Sequence, residues 1–323
     1  MHTTRDRYPL IGLMMLVILL GGCKIDWLDA LGIHKHNDNT ARVGNTNVPG
    51  LDVAVSDYGF AQTYANLEQA IGRNNYYRTL KTDLQSEAGN AGRSIRPIRV
   101  ILYQDPGRMT PLIAADRRAG LDLPPAMLVY QDSRNNVGVA YNSSDYLAAR
   151  YDLATARDAL DGLGRDEATL ANDASGQDIS RTGSVSSIRQ GEGRVDRTSG
   201  HNFDTTLANL INAIKNNSNL QLLQQFDHRA AAHSIGSMLD ANDDPSTLVV
   251  FDAGAEQARV IAGGQTVAVD LPARILVSQG TDGTVHVSYS QPSYLETRHN
   301  VAAANAISDF DGTLRSLVGK AVN

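Results

Sequence analysis

The sequence predicts an α+β protein built as two tandem two-layer α/β sandwich domains, each a mostly antiparallel sheet with helices on one face. Three observations lead there. Asp122–Leu153 aligns without gaps on Asp270–Val301 with twelve of 32 positions identical, where chance gives roughly two. Phe60–Asn74 aligns on Phe203–Asn217 with eight of 15 identical. Within each copy, helical spacing of apolar residues gives way to short apolar runs separated by turn residues, the pattern of helices followed by hairpins.

Each copy is expected to open with an amphipathic helix. Leu207, Leu210, Ile211 and Ile214 fall at i, i+3, i+4 and i+7, and Tyr64, Leu67 and Ile71 fall at i, i+3 and i+7 in the first copy. Asn202, Asp204 and Thr205 are start signals for the second-copy helix. A strand follows at Tyr77–Lys81 or Leu220–Gln224. A short helix is expected at Ala230–Leu239, and the stretch Gln85–Arg93 of the first copy is Gly-rich. An apolar strand, Ile98–Tyr103 or Thr247–Phe251, leads to the repeated Asp-Leu-Pro corner at Asp122 and Asp270. Pro124 and Pro272 cannot donate to a ladder, so they mark the entry to a hairpin. That hairpin pairs Met127–Tyr130 with Val137–Tyr141, and Ile275–Val277 with Val285–Tyr289, the latter around Asp282-Gly283. A last helix carries Tyr146-Leu147 or Tyr294-Leu295, and Ala302–Val318 closes the second copy. The first repeat is placed at 51–160 and the second at 197–323. The Gly-, Ser- and Thr-rich stretch 161–196 reads as a flexible linker.

The composition sets limits. A formal net charge of −6 argues against a nucleic-acid partner. One Cys in 323 residues excludes an intrachain disulfide and any Cys-rich metal or cluster site. Residues 1–22 have a basic start (Arg5, Arg7), an apolar run from Leu10 to Leu20, and Gly21-Gly22 directly before Cys23. This is the layout of a secretory signal. Leu20-Gly21-Gly22-Cys23 resembles the lipobox of bacterial lipoproteins. The resemblance implies cleavage before Cys23 and lipidation of its sulfur and amino group, giving several acyl chains and a durable anchor. Lys24 in place of the family's inner-membrane retention Asp implies the outer membrane of a Gram-negative cell, on its periplasmic face or at the surface. Residues 23–50 read as a tether, polar at His34–Thr40 and Asn45–Asn47, with one short apolar patch of Trp27, Leu28 and Leu31. His34 and His36 in it are expected to be solvated rather than metal-bound.

The conjunction of Asp227-His228, Asp270-Leu271-Pro272, Val287-Ser288-Tyr289, Tyr294-Leu295 and Arg298-His299 is similar to a prokaryotic family known as domain of unknown function 302. The resemblance covers 53–153 and 198–301 and implies a small α/β sandwich that pairs as a dimer. It implies no reaction. The copies depart from the pattern differently. The second keeps Asp227-His228 and Arg298-His299, where the first has Asp83-Leu84 and Arg150-Tyr151. The first keeps Asp105-Pro106-Gly107 and Thr110, where the second has Ala253-Gly254-Ala255.

No nucleophile elbow, phosphate loop or dinucleotide fingerprint occurs. His228 and His233 stand five apart, a poor helical spacing for a metal pair, so no metal and no cofactor is expected. Two functional readings stay open. In the first, the protein is a lipid-anchored binding or structural module whose repeats pair with each other and which holds an envelope partner. In the second, it is an enzyme or small-ligand-binding protein with a composite site between the repeats. The candidate residues for that site are Asp227, His228, Arg298 and His299, with Tyr141 and Tyr289 lining an apolar cleft between the sheets.

Overall fold

The computed structural model describes residues 42–43, 46–74 and 76–323. The signal segment, the lipidation position Cys23 and most of the tether lie outside the described residues. The chain forms two antiparallel sheets with helices, as two α+β domains.

The first repeat opens with a strand rather than a helix. β1 (Leu51–Val55) is followed by α1 (Phe60–Arg73), β2 (Arg78–Asp83), α2 (Leu84–Asn90), β3 (Ile98–Gln104) and α3 (Pro106–Ala115). A 3-10 turn (Arg117–Leu121) leads to β4 (Ala126–Gln131), β5 (Val137–Asn142), α4 (Ser144–Arg150), α5 (Arg157–Ser175) and the two-residue β6 (Arg181–Thr182). The sheet order is β2-β3-β4-β5-β1-β6. The second repeat runs through β7 (Arg194–Thr198), α6 (Phe203–Lys215), β8 (Gln221–Asp227), α7 (His228–Ser234), β9 (Ser246–Asp252) and α8 (Gly254–Gly263). After a second 3-10 turn (Gln265–Asp270) come β10 (Ala273–Gln279), β11 (Val285–Ser290), α9 (Pro292–His299) and α10 (Ala304–Val322). Its sheet order is β7-β11-β10-β9-β8.

Several local expectations are met by visible chemistry. Asn202 caps α6 by accepting from the Thr205 amide at 2.9 Å. Gly283 takes φ +81° in the β10–β11 turn, which an L side chain resists. Other expectations need correction. The stretch 161–196, expected as a flexible linker, instead carries most of α5, then β6 and the start of β7. Its Gly residues misled: Gly162 and Gly164 sit inside α5, where added Cβ atoms would meet Arg108 and Ser144. The closing helix runs unbroken from Ala304 to Val322, through Asp311-Gly312.

Each sheet buries one face under its own helices. In the first repeat, Ile101, Met127, Val129 and Tyr141 pack beneath Leu67 and Ile71 of α1 and Leu170 and Ala174 of α5. The opposite faces turn toward the sister repeat. The first repeat's 3-10 turn touches β9, β10 and β11, and the second repeat's 3-10 turn touches β3, β4 and β5. Each repeat thus lays the turn before its Asp-Leu-Pro corner on the other's sheet, and α3 and α2 pack against α7 and α8. One apolar core, including Leu102, Leu128, Val250 and Leu276, runs continuously across this seam.

The helix layers differ in one respect. The buried face of α5 reads Leu160, Leu163, Glu167, Leu170, Ala174, and that of α10 reads Ile307, Phe310, Leu314, Leu317, Ala321. Glu167 therefore stands where the second repeat has Leu314. Its Oε2 has no hydrogen-bond partner, and burial, reinforced by Asp52 and Asp166, raises its carboxyl well above the usual range. Asp52 and Tyr103 stand where the second repeat has Val195 and Phe251. One oxygen of Asp52 and the Tyr103 hydroxyl are likewise buried without a partner.

Candidate functional site

The charged residues shared by both repeats meet at the seam. Asp122 follows the first repeat's 3-10 turn and Asp270 ends the second's, while Arg150 and Arg298 lie in the last turns of α4 and α9. Arg150 donates to Asp122 Oδ2 at 2.7 Å, and Arg298 donates to Asp270 Oδ2 at 2.8 Å. Each guanidinium then reaches across. Arg150 donates to Ser290 Oγ of the second repeat at 2.9 Å, and Arg298 donates to Asn142 Oδ1 of the first at 2.7 Å. Asn142 and Ser290 occupy equivalent positions, ending β5 and β11, so the exchange is reciprocal.

Tyrosines complete the shell. The Arg298 guanidinium lies 3.9 Å from the centre of the Tyr146 ring, and Arg150 sits 5.2 Å from that of Tyr294. The Tyr151 hydroxyl donates to Asp122 Oδ2 at 2.7 Å. In the second repeat His299 replaces Tyr151 and makes the equivalent bond, Nε2 to Asp270 Oδ2 at 2.8 Å. Burial lowers the His299 pKa, against the pull of Asp270, so the ring is neutral. A neutral ring bonded to a carboxylate through Nε2 carries its proton there, leaving Nδ1 to accept from Thr266 Oγ1 at 3.2 Å. Burial opposes the charge on Asp270, but Arg298, His299 and Asn142 outweigh it and hold the carboxyl far below its ordinary value.

His228 does not join this group. It begins α7 and is 1% exposed. Its Nε2 donates to the Leu123 carbonyl of the first repeat at 3.0 Å, and its Nδ1 accepts from Ser246 Oγ at 3.0 Å. The carbonyl can only accept, which fixes the tautomer. Burial depresses its pKa to about 4. Gly120 makes room for the ring, since a Cβ there would stand 2.8 Å from His228 Cε1. Asp227 does not partner His228 as a base would. It caps α7, accepting from the Ala230 amide at 2.9 Å.

The sequence-based site is thus only partly assembled. Arg298 and His299 converge, with Asp270, but Asp227 and His228 serve elsewhere along the seam. Tyr141 and Tyr289 do not line a cleft between the sheets. Tyr141 belongs to the core beneath α1 and α5 and pairs in register with Asp52, while Tyr289 lies near Asp311 and Arg315 of α10. The residues missed were Arg150, Asp122, Asn142 and Ser290. Their signal was available: Asp122/Asp270 and Arg150/Arg298 are charged positions kept identical between copies whose surfaces otherwise diverge.

The seam encloses a cavity of about 20 Å³ between Asp122, Asp270, Arg274 and Ser290, room for one water-sized species. Two open grooves lie elsewhere, at equivalent places in the repeats. One, of about 360 Å³, is bounded by Tyr76, Tyr77, Asp105, Arg108, Asp166 and Thr169. The other, of about 400 Å³, is bounded by Asn217, Glu256, Asp309, Thr313, Ser316 and Lys320. A bond spans each: Arg108 to Asp166 at 2.7 Å, and Thr313 to Glu256 at 3.1 Å. No cluster of three or more His, Cys, Asp or Glu able to hold a metal occurs among the described residues.

The profile of the domain of unknown function DUF302 matches residues 52–169 and again 195–318. Among solved structures, an uncharacterized conserved DUF302 protein from Bacillus stearothermophilus is similar at 19% identity and TM-score 0.36, over 40% of this chain and 98% of that one. Among curated proteins, the fluoride-specific ion channel FluC 1 of Brucella suis biovar 1 (strain 1330) is 26% identical over 145 residues, 44% of this chain and 54% of that protein. FluC 2 of Brucella melitensis biotype 1 is also 26% identical, over 44% of this chain and 51% of that protein. The chain spans about half the length of these curated relatives. Among the described residues, no helix is long and apolar enough to cross a membrane.

Proposed function

Starting from the chain's membership of the DUF302 family, whose domain it carries twice, we propose that it is a binding or structural module of the cell envelope rather than an enzyme. One observation carries this reading. The residues with catalytic chemistry that converge, Arg298, His299 and Asp270, are buried in the seam, and of the three only Asp270 lines its small cavity, whereas an active site needs a concave pocket open to its substrate. In this reading the seam joins the two repeats into one body. The outward-facing grooves are where an envelope partner would be held. The channel activity named for the curated relatives is no part of the proposal.

The anchor belongs to the same proposal. The lipobox-like Leu20-Gly21-Gly22-Cys23 supports a lipid on Cys23 and a place at the outer membrane, on its periplasmic face or the cell surface. Cell fractionation tests it: Cys23→Ser is expected to release the protein from membranes, and unchanged membrane association overturns the anchor. For the binding role, photo-crosslinking side chains placed at Thr169 and Ser316, one in each groove, are expected to give discrete adducts in cells. The same probe at the exposed hairpin residue Asp282 is expected to give none. Equal labelling at all three positions would count against a groove-directed partner.

A further inference from the structure

We infer that the seam between the repeats is a binding site for one small monovalent anion of about the size of a water molecule, held by Arg274. Among the described residues, three guanidiniums, Arg150, Arg274 and Arg298, and two carboxylates, Asp122 and Asp270, are buried together, none more than 9% exposed. Arg150 and Arg298 each have their own carboxylate, at 2.7 and 2.8 Å. Arg274 has none. Its one hydrogen bond runs from a terminal nitrogen to the Val269 carbonyl at 2.8 Å, and its Nε has no partner. Arginine keeps its proton in proteins, and His299 is neutral, so the seam carries one uncompensated positive charge. A buried charge left unpaired costs several kcal/mol.

The cavity lies where that charge needs an answer. It is lined by Arg274, by both carboxylate residues and by Ser290, and otherwise by apolar side chains such as Leu121, Leu271 and Phe310. Ser290 Oγ already accepts from Arg150, so its own hydrogen is free to point at an anion. Asp270 accepts on both oxygens, from Arg298, His299 and Asn142, and Asp122 accepts from Arg150 and Tyr151 on Oδ2. Their presence limits the guest to a single negative charge. A volume of about 20 Å³ is room for about one guest of water's size, and fluoride is such a guest. A water molecule in the same place would satisfy the Nε–H but leave the charge standing. The site belongs to the second repeat alone, because the position equivalent to Arg274 in the first is Ala126.

The test uses the full-length chain in detergent. Thermal melts in sodium fluoride and sodium chloride at matched ionic strength are expected to differ, with fluoride raising Tm by at least ~2 °C through preferential binding to the folded state. Equilibrium dialysis read with a fluoride electrode is expected to give one ion per chain. Both effects are expected to vanish in Arg274→Ala, which installs the residue the first repeat already tolerates, and in Arg274→Gln, which keeps a donor without the charge. Identical melts in the two salts, with no fluoride retained, would show that the cavity holds only water and overturn the assignment. Fluoride retention undiminished in the Arg274 variants would overturn it equally.

Discussion

The His228 imidazole of the second repeat donates its Nε2 proton to the Leu123 carbonyl of the first, 3.0 Å away across the seam. This bond needs a neutral ring, and burial keeps it neutral down to about pH 4 against an ordinary value of 6.5. A depressed histidine pKa stabilises the fold fully above about 6.5. That stability is lost as the pH falls toward 4, by up to about 3 kcal/mol. Glu87 on α2 works in the opposite sense. Burial, with Asp252 and Asp83 nearby, raises its pKa from 4.5 to about 7, so its contribution is full below 4.5 and lost as the pH rises through 7. Urea unfolding at several pH values between 4 and 7.5 separates the two. Relative to wild type, His228→Leu, which copies Leu84 of the first repeat, is expected to lose the stability gained on raising the pH from 4 to 6.5. Glu87→Gln is expected to lose the decline between 4.5 and 7.

Because the arginines of the seam exchange hydrogen bonds between repeats, breaking one is expected to weaken both. Arg298→Leu takes from Asp270 its ion-pair partner, leaving the bonds from His299 and Asn142, and should cost about 3–5 kcal/mol. Asn142→Ala removes a bond to Arg298 and one to Asp270 and should cost about 1–3 kcal/mol. Near- and far-ultraviolet circular dichroism should report one coincident unfolding transition in wild type and in Asn142→Ala. Two separated transitions would mean that the repeats are energetically independent.

Glu167 marks a place where stability was given up. Glu167→Leu copies Leu314 and removes a buried acid whose Oε2 lacks a partner. It is expected to stabilise the chain by about 1–3 kcal/mol at neutral pH and to gain less at low pH, where the carboxyl is protonated in the unfolded chain too. A denaturation midpoint that does not rise would show that the acid is satisfied by bound water.

Two glycines explain the repeated tyrosines. Gly50 and Gly193 both have positive φ, +67° and +66°, and each backs onto the tyrosine of its repeat's α4 or α9. A Cβ would stand 2.6 Å from Tyr146 Cβ in one and 2.0 Å from Tyr294 Cγ in the other. Gly193→Ala combines a left-handed backbone cost of about 1–2 kcal/mol with overpacking of about 1–3 kcal/mol. Gly236, at φ +71° with open space around it, should cost only the backbone part when changed to Ala. Equal losses at Gly193 and Gly236 would remove the packing argument.

The duplication, the hairpins and the helix faces were legible because identities and periodicity survive in the apolar positions of both copies. The opening strands were not. β7 is Arg194-Val195-Asp196-Arg197-Thr198, an edge strand with one apolar residue, whose partner β11 lies some 90 positions onward, so local pattern cannot reveal it. The seam was half legible. His228 and Arg298-His299 drew notice as chemistry, yet their partners are a backbone carbonyl 105 residues away and an amide 156 residues away, which no spacing rule encodes. Asp227 beside His228 suggested a pair, but adjacent residues at a helix start point apart, and the carboxylate spends itself on the cap.

Arg298 also donates its Nε proton to the Pro49 carbonyl at 2.9 Å, 249 residues back along the chain. Pro49 is two residues ahead of β1, which lies between β5 and β6. A tug on the polypeptide ahead of Val43 therefore meets the bond from the Val43 amide to Asp132 Oδ2 first, and the guanidinium clasp next. It then meets a strand whose bonds on both sides must be sheared together rather than peeled one by one. The fold is mechanically reinforced at the point where the amino-terminal segment enters it, the point through which any tether attached there would transmit its load.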